Sequence, residues 1–232
     1  MNLFHHSYSS PQENLAIDEE LLKCVNKGHH PGGLCRIWES DVYFVVLGLS
    51  KHISDDVHLG NCKADEIPIL RRCSGGGTVL QGPGCFNYAF ILPIHTHPEL
   101  LSIGTTTRHA LSLVQSAISP IISETKQQGI SDLVINNMKF SGNAQRRLKH
   151  AILFHGTILY EFDIDLVSKY LKNPPIQPTY RQRRPHQTFI QNIQATRDQL
   201  VHAFEQMTKD PIPLPQISNE TLSKYNNLSQ VH

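Results

Sequence analysis

No stretch of the 232-residue sequence approaches the roughly 20 apolar residues that span a bilayer, so no membrane-spanning helix is expected within it. The amino-terminal stretch has no signal-type apolar core, and Asp18, Glu19 and Glu20 count against an Arg-rich transit peptide, so the expected location is the cytoplasm. Five cysteines (Cys24, Cys35, Cys62, Cys73, Cys85) form no CxxC pair, are odd in number and stop at residue 85. That excludes a disulfide framework and fits a reducing compartment. With a net charge of only +1, broad electrostatic capture of nucleic acid is excluded and any anion site must be local. The 14 histidines include the groups His5-His6, His29-His30 and His95/His97, but none has the helical HExxH pair or the mixed Cys/His spacing of a zinc site. No protein-bound metal is expected. A Walker loop and a GxGxxG helix opening are also missing.

What is present is an ordinary folding composition, 39% apolar and 18% charged, in a length that suits one domain. Leu15, Leu21, Leu22 and Val25 recur at helical spacing and Gly28 follows, predicting a helix over 14–27. Apolar runs predict strands at 35–38 and 42–48, joined as neighbours by the turn Glu39-Ser40-Asp41, and further strands at 67–71 and 86–92. Residues 105–127 read as one or two helical pieces broken at Pro120. Asn136-Asn137 reads as a two-residue hairpin turn between 133–135 and 138–141, because Asn tolerates positive φ. A strand at 151–160 and helices at 165–171 and 195–207 complete the pattern. Strands in hairpins and helices gathered apart from them predict an α+β domain with a mixed or antiparallel sheet core. The domain is expected to cover 1–209, with a loosely held Pro- and Asn-rich tail over 210–232 and no further accessory domain.

Two segments carry candidate chemistry. In RRCSGGGTVLQGPGCFNY, a strand end leads through Arg71, Arg72 and Ser74 into Gly75, Gly76 and Gly77, followed by Thr78. Three successive glycines are found where backbone takes unusual φ or a ligand lies against it, although a bare triplet is equally a turn with nothing bound. In SDLVINNMKFSGNAQRR, Lys139 leaves a hairpin beside Ser141 and Gly142, where a compact ammonium can meet phosphate or carbonyl oxygens. Taken alone, Lys139 reads as a solvated surface lysine. The arginines near Tyr180 likewise read alone as a solvated basic loop.

RRCSGGGTV, MKFSGNAQRR and FHGTILYEFDI occur here in the order and spacing of lipoate–protein ligases of the biotin/lipoate ligase superfamily, and the resemblance extends over about 14–193, through AIDEELL, RIWE and VVLGLS. It implies a catalytic domain of that superfamily's type, related to class II synthetases. Under it, Arg71, Arg72, Ser74, Gly75, Gly76, Gly77 and Thr78 resemble the lipoate-binding loop, with His155, Gly156 and Thr157 on a strand of the acyl pocket. Lys139 matches the family's essential lysine, and Asp132, Ser141, Gly142, Asn143 and Ala144 lie on the adenylate side with Tyr180, Arg181 and Arg183. The implied activity joins lipoate to a lysine of an apo lipoyl domain, from a 2-oxoacid dehydrogenase complex or the glycine-cleavage H protein, through lipoyl-AMP. ATP and Mg²⁺ are the implied cofactors, the metal riding on the phosphates with one carboxylate such as Asp132 beside it.

Three alternatives follow. A lipoyl or octanoyl transferase would take preformed adenylate, need an accessory subunit, or use an acyl carrier. The acyl-carrier route runs through a cysteine thioester, and no cysteine lies beyond Cys85. A non-catalytic lipoyl-binding module would have little use for Lys139. A biotin ligase is disfavoured because its GRGRxxR-type loop is absent.

Overall fold

A computed structural model describes residues 1–209, 211–213 and 215–230. The helix expected near the amino terminus is α1, Pro11–Asn26; Ser10 caps it by accepting from Glu13 N at 3.4 Å, and Pro11 occupies the first turn, where its missing N–H costs nothing. The larger sheet has seven strands in the order β1 (Asn2–His5), β2 (Leu34–Trp38), β6 (Cys85–Pro93), β10 (Ala151–Leu159), β9 (Met138–Arg147), β8 (Asp132–Ile135), β7 (Lys126–Gln128). Only β1 and β2 run parallel; the other pairs are antiparallel. The smaller sheet is β4 (Ile69–Arg71), β3 (Phe44–Leu47), β5 (Val79–Gln81), with β4 parallel and β5 antiparallel to β3.

Every residue of β6 is buried, because both its faces are covered. Phe86, Tyr88, Phe90 and Leu92 pack with α4 (Ile103–Ile118) and α7 (Arg197–Gln206), while Ala89 and Ile91 meet Ile17, Leu21 and Leu22 of α1. The smaller sheet sits between α1, through Leu15, and α5 (Asp165–Tyr170), through Val167 and Tyr170. Among the described residues, the remaining α-helices are short: α2 (Ile53–Asp56), α3 (Leu59–Ala64), α6 (His186–Phe189) and α8 (Asn219–Leu222). The architecture is the expected α+β core with surrounding helices.

Local turn chemistry behaves as anticipated. Asn136 and Asn137 take φ of 51° and 60° and close the β8–β9 hairpin, and α4 stops two residues before Pro120. Two expectations fail. The strands at 35–38 and 42–48 do not pair, since β2 joins the large sheet and β3 the small one. Ser40 closes its own turn on Val42 at 2.9 Å and Glu39 is drawn to Gly84 N at 2.8 Å, so the connection carries the chain between sheets instead of folding it back. The stretch expected to stay helical to 127 ends as the polar edge strand β7. As for the tail, Asp210, Leu214, Val231 and His232 lie outside the described residues. In the described part, Ile212 N donates to Leu3 O at 2.9 Å, Tyr225 is buried, and its hydroxyl donates to Glu19 at 2.9 Å.

Candidate functional site

A cavity of about 470 Å³ lies between the small sheet and the β9–β10 hairpin, beneath the segment running from 171 to 190. Its first wall is the glycine loop. Arg72 is 7% exposed and turns back into the loop, where Nε donates to Ser74 Oγ (3.0 Å) and Nη2 to the carbonyls of Gly75 (2.6 Å) and Gly77 (2.8 Å). Burial pulls the guanidinium down to about 10, which leaves it charged at neutral pH. Gly76 has a φ of +90°, and a Cβ on Gly48 would collide with Gly76 O, so the glycine of VVLGLS and the triplet lie backbone to backbone. Neighbouring Arg71 points elsewhere. Its Nη1 donates to the carbonyls of Gly48 (2.9 Å), Leu49 (3.0 Å) and Lys51 (2.7 Å), and it does not line the cavity.

The opposite wall carries Lys139. Its Nζ lies 2.7 Å from Asp132 Oδ1, while Tyr180 Oη donates to Asp132 Oδ2 at 2.7 Å. Lys139 reaches this position by lying over Gly142, where an added Cβ would sit 2.6 Å from Nζ. The glycine of MKFSGNAQRR thus makes room for the lysine rather than for a turn. Next to it, Asn143 accepts from the buried Tyr88 hydroxyl and donates to Ser131 O at 2.8 Å.

The three residues of the HGT segment do separate things. His155 Nε2 is 2.6 Å from Ser74 Oγ, tying β10 to the glycine loop, and burial together with the Arg72 charge pushes its imidazole down to about 3, so it is neutral. A Cβ on Gly156 would run into Asn143 Oδ1 and the Tyr88 hydroxyl. Thr157 accepts from Gln81 Nε2 and donates to Asn87 Oδ1, both at 2.9 Å.

The covering segment brings in Arg181, 4% exposed, stacked 4.6 Å from the Phe189 ring, with Nη2 donating to Asn173 Oδ1 at 3.2 Å. Arg184 Nη2 donates to Asn137 O at 2.9 Å and fastens the segment to the β8–β9 turn. His186 is held down to about 4 by burial and by Arg181.

Of the residues selected from sequence, Arg72, Gly77, Thr78, Asp132, Lys139, Ser141, Gly142, Asn143, Ala144, His155, Gly156, Thr157 and Arg181 line this one cavity. Ser74 and Tyr180 act from behind, through His155 and Asp132. Arg71, Gly75, Gly76 and the exposed Arg183 do not line it. Sequence reading missed Leu15, Trp38 and Val46, which make an apolar part, and the polar Lys51, Asp56, Gln81, Asn87 and Tyr88. RIWE and VVLG pointed toward Trp38 and Val46 without assigning them; no signal marked Asp56. Neither Cys73 nor Cys85 lines the cavity, and burial pushes the Cys73 thiol up to about 12 and that of Cys85 higher still.

Residues 10–209 match the model of the lipoyl protein ligase A/B catalytic domain, and the chain belongs to that family. A probable lipoate-protein ligase A of Mycoplasma genitalium is 31% identical over 168 residues, covering 70% of this chain and 46% of that protein. The chain spans about half the length, or less, of most of the curated relatives it matches. Among solved structures, the bipartite lipoate protein ligase of Thermoplasma acidophilum, studied with its E2 lipoyl domain, superposes with a TM-score of 0.76 at 18% identity, covering 96% of this chain and 90% of that one. A Plasmodium falciparum ligase in complex with lipoate gives a TM-score of 0.69 at 23% identity, covering 91% of this chain and 64% of that one. These structural likenesses establish the fold. Among the described residues no helix is long and apolar enough to cross a membrane.

Proposed function

We propose that this chain is a lipoate–protein ligase, which forms or uses lipoyl-AMP and transfers the lipoyl group to one lysine of an apo lipoyl domain. The observation that carries the reading is Lys139, held by Asp132 and Tyr180 over Gly142, facing a cavity that also has an apolar part at Leu15, Trp38, Val46 and Val79. The apolar part suits the acyl tail and its dithiolane ring. The polar remainder is lined by Lys51, Arg72, Lys139, Lys172 and Arg181; Lys139 and Arg181 suit phosphate and acyl oxygens, whereas Arg72 is committed to the glycine loop.

In the transfer step, the acceptor's lysine amine attacks the acyl carbon of the mixed anhydride, the bond from acyl carbon to phosphate oxygen breaks, and AMP leaves. Lys139 would donate to the acyl carbonyl and steady the negative charge that develops there. Asp132 and Tyr180 fix the ammonium's direction, so positioning costs little during the reaction. The raised thiols of half-buried Cys73 and buried Cys85, neither of which lines the cavity, support this route over a thioester.

ATP fits the cations of the cavity. Mg²⁺ fits Asp132 less well than expected, because Lys139 and Tyr180 engage both of its oxygens; the phosphates themselves would carry the metal. The acceptor class in this proposal is the lipoyl domain of a 2-oxoacid dehydrogenase complex or the glycine-cleavage H protein. Free thiols at all five cysteines suit a cytoplasmic setting.

The test mixes purified protein with ATP, Mg²⁺, lipoate and an apo lipoyl domain, and in parallel with preformed lipoyl-AMP and the same acceptor. Intact-mass spectra should show one lipoyl group added in both. Modification only from the adenylate would remove self-activation and leave the transferase; no modification in either would sink the reading.

A further inference from the structure

Asp56 ends the one-turn helix α2, lines the cavity and is 5% exposed. Its two carboxylate oxygens are unequally served. Oδ2 accepts from Thr78 Oγ1 at 2.5 Å and lies 3.7 Å from Lys51 Nζ, whereas Oδ1 is buried without a hydrogen-bond partner. A buried acceptor left unpaired costs about 1–3 kcal/mol, more when charged, so such a group marks a place where something binds. The position is fixed independently of any ligand: Asp56 O accepts from Lys172 N at 2.9 Å, and Thr78 closes the glycine loop onto the carboxylate.

On the reading given above, the cavity's occupant is a lipoyl adenylate. Its acyl tail carries no hydrogen-bond donor, and its phosphate is an acceptor. Donors reside only in the nucleoside, as the exocyclic amine of adenine and the ribose hydroxyls. A second cation at Oδ1 is less suited than a neutral donor, since Lys51 already faces this carboxylate. We propose that Asp56 is a nucleoside-recognition residue, with Oδ1 accepting from an N–H or O–H donor of the adenosine moiety while Thr78 and Lys51 hold Oδ2. This assignment rests on the adenylate reading and adds to it the group that selects the nucleoside. A carboxylate on a ribose hydroxyl is a familiar solution to nucleotide recognition, and the analogues below separate ribose from base.

The test measures dissociation constants by calorimetry for ATP, 2′-deoxy-ATP, 3′-deoxy-ATP and purine riboside triphosphate, which lacks the exocyclic amine, against wild type, Asp56→Asn and Asp56→Ala. Lipoate binding and thermal melts report whether each variant folds; should Asp56→Ala fail to fold, the nearly isosteric Asp56→Asn supplies the comparison. Asp56→Ala should weaken ATP by roughly 10- to 100-fold with lipoate affinity changed less than about threefold. The one analogue that lacks the paired donor should bind wild type more weakly and lose little further in the variant. Equal losses for all four nucleotides, or unchanged ATP affinity, would overturn the Asp56 assignment alone. If wild type binds none of the four, the comparison is made with lipoyl-AMP, where Asp56→Ala should weaken binding by the same factor and unchanged affinity would overturn the assignment; a wild type that binds neither the nucleotides nor lipoyl-AMP would overturn the adenylate reading beneath it.

Discussion

The cavity's two walls are built on opposite principles. On the glycine-loop side, polar groups are spent on the loop itself: Arg72 on Ser74, Gly75 and Gly77, and Ser74 on His155. This wall is a mould that offers shape more than free hydrogen-bonding capacity. On the β8–β9 side, Lys139 has a single carboxylate partner and its side chain is 26% exposed, so its remaining donors are free to act. The difference separates holding from reacting, and it implies that substitutions on the two walls fail in different observables.

The sharpest test of that division is Lys139→Ala. Transfer to an apo lipoyl domain should fall by about 10²- to 10³-fold, while lipoate affinity shifts less than about threefold. Unchanged transfer would dissolve the distinction between walls. Second in size is Gly142→Ala. A methyl group 2.6 Å from Nζ must displace the lysine, so transfer should fall by roughly 10- to 100-fold with little change in melting temperature. If the melt collapses while the residual rate stays normal, Gly142 serves the strand rather than the lysine.

This arrangement was only partly legible in the sequence. The Asn136-Asn137 hairpin could be read because its turn chemistry is local, and that hairpin carries Lys139. The triplet could be flagged, but its cause could not: Gly76 packs on Gly48, and the two are 28 positions apart. Gly142 reads in sequence only as a small residue beside Lys139 and is clearance within a strand, a role set by where a side chain folds back. Asp56 sits in LSKHISDDVH, a stretch without periodicity or motif, and acquires meaning only when Thr78 arrives. The strands at 35–38 and 42–48 join different sheets, which the sequence does not reveal because two buried strands close in the chain look alike whichever sheet each joins.

The mould wall should show itself in stability. His155 is neutral in the fold, held down to about 3, and an unfolded histidine titrates near 6.5. Below pH 6.5 the unfolded chain therefore takes up a proton that the folded chain refuses. Stability is complete above 6.5 and falls toward pH 3, by up to about 1.4 kcal/mol per unit from this group. His186, held down to about 4, adds in the same direction. Denaturant melts of His155→Gln, which keeps a polar contact for Ser74 without titrating, should give a shallower slope between pH 6.5 and 4; an identical slope would remove His155 from the acid response.

The smallest expected effect divides the paired arginines. Arg71 binds three carbonyls outside the cavity, whereas Arg72 shapes the cavity wall. Arg71→Met keeps much of the side-chain volume and removes those bonds, which should cost about 1–2 kcal/mol of stability at this partly exposed site. Transfer measured well below the melting temperature should stay within about twofold of wild type, because the residue touches only the strand β3 exit and the turn after it. A large loss of lipoate affinity in Arg71→Met would mean that the outer arginine also shapes the mould, and that the division runs between β4 and Lys139 rather than between the two arginines.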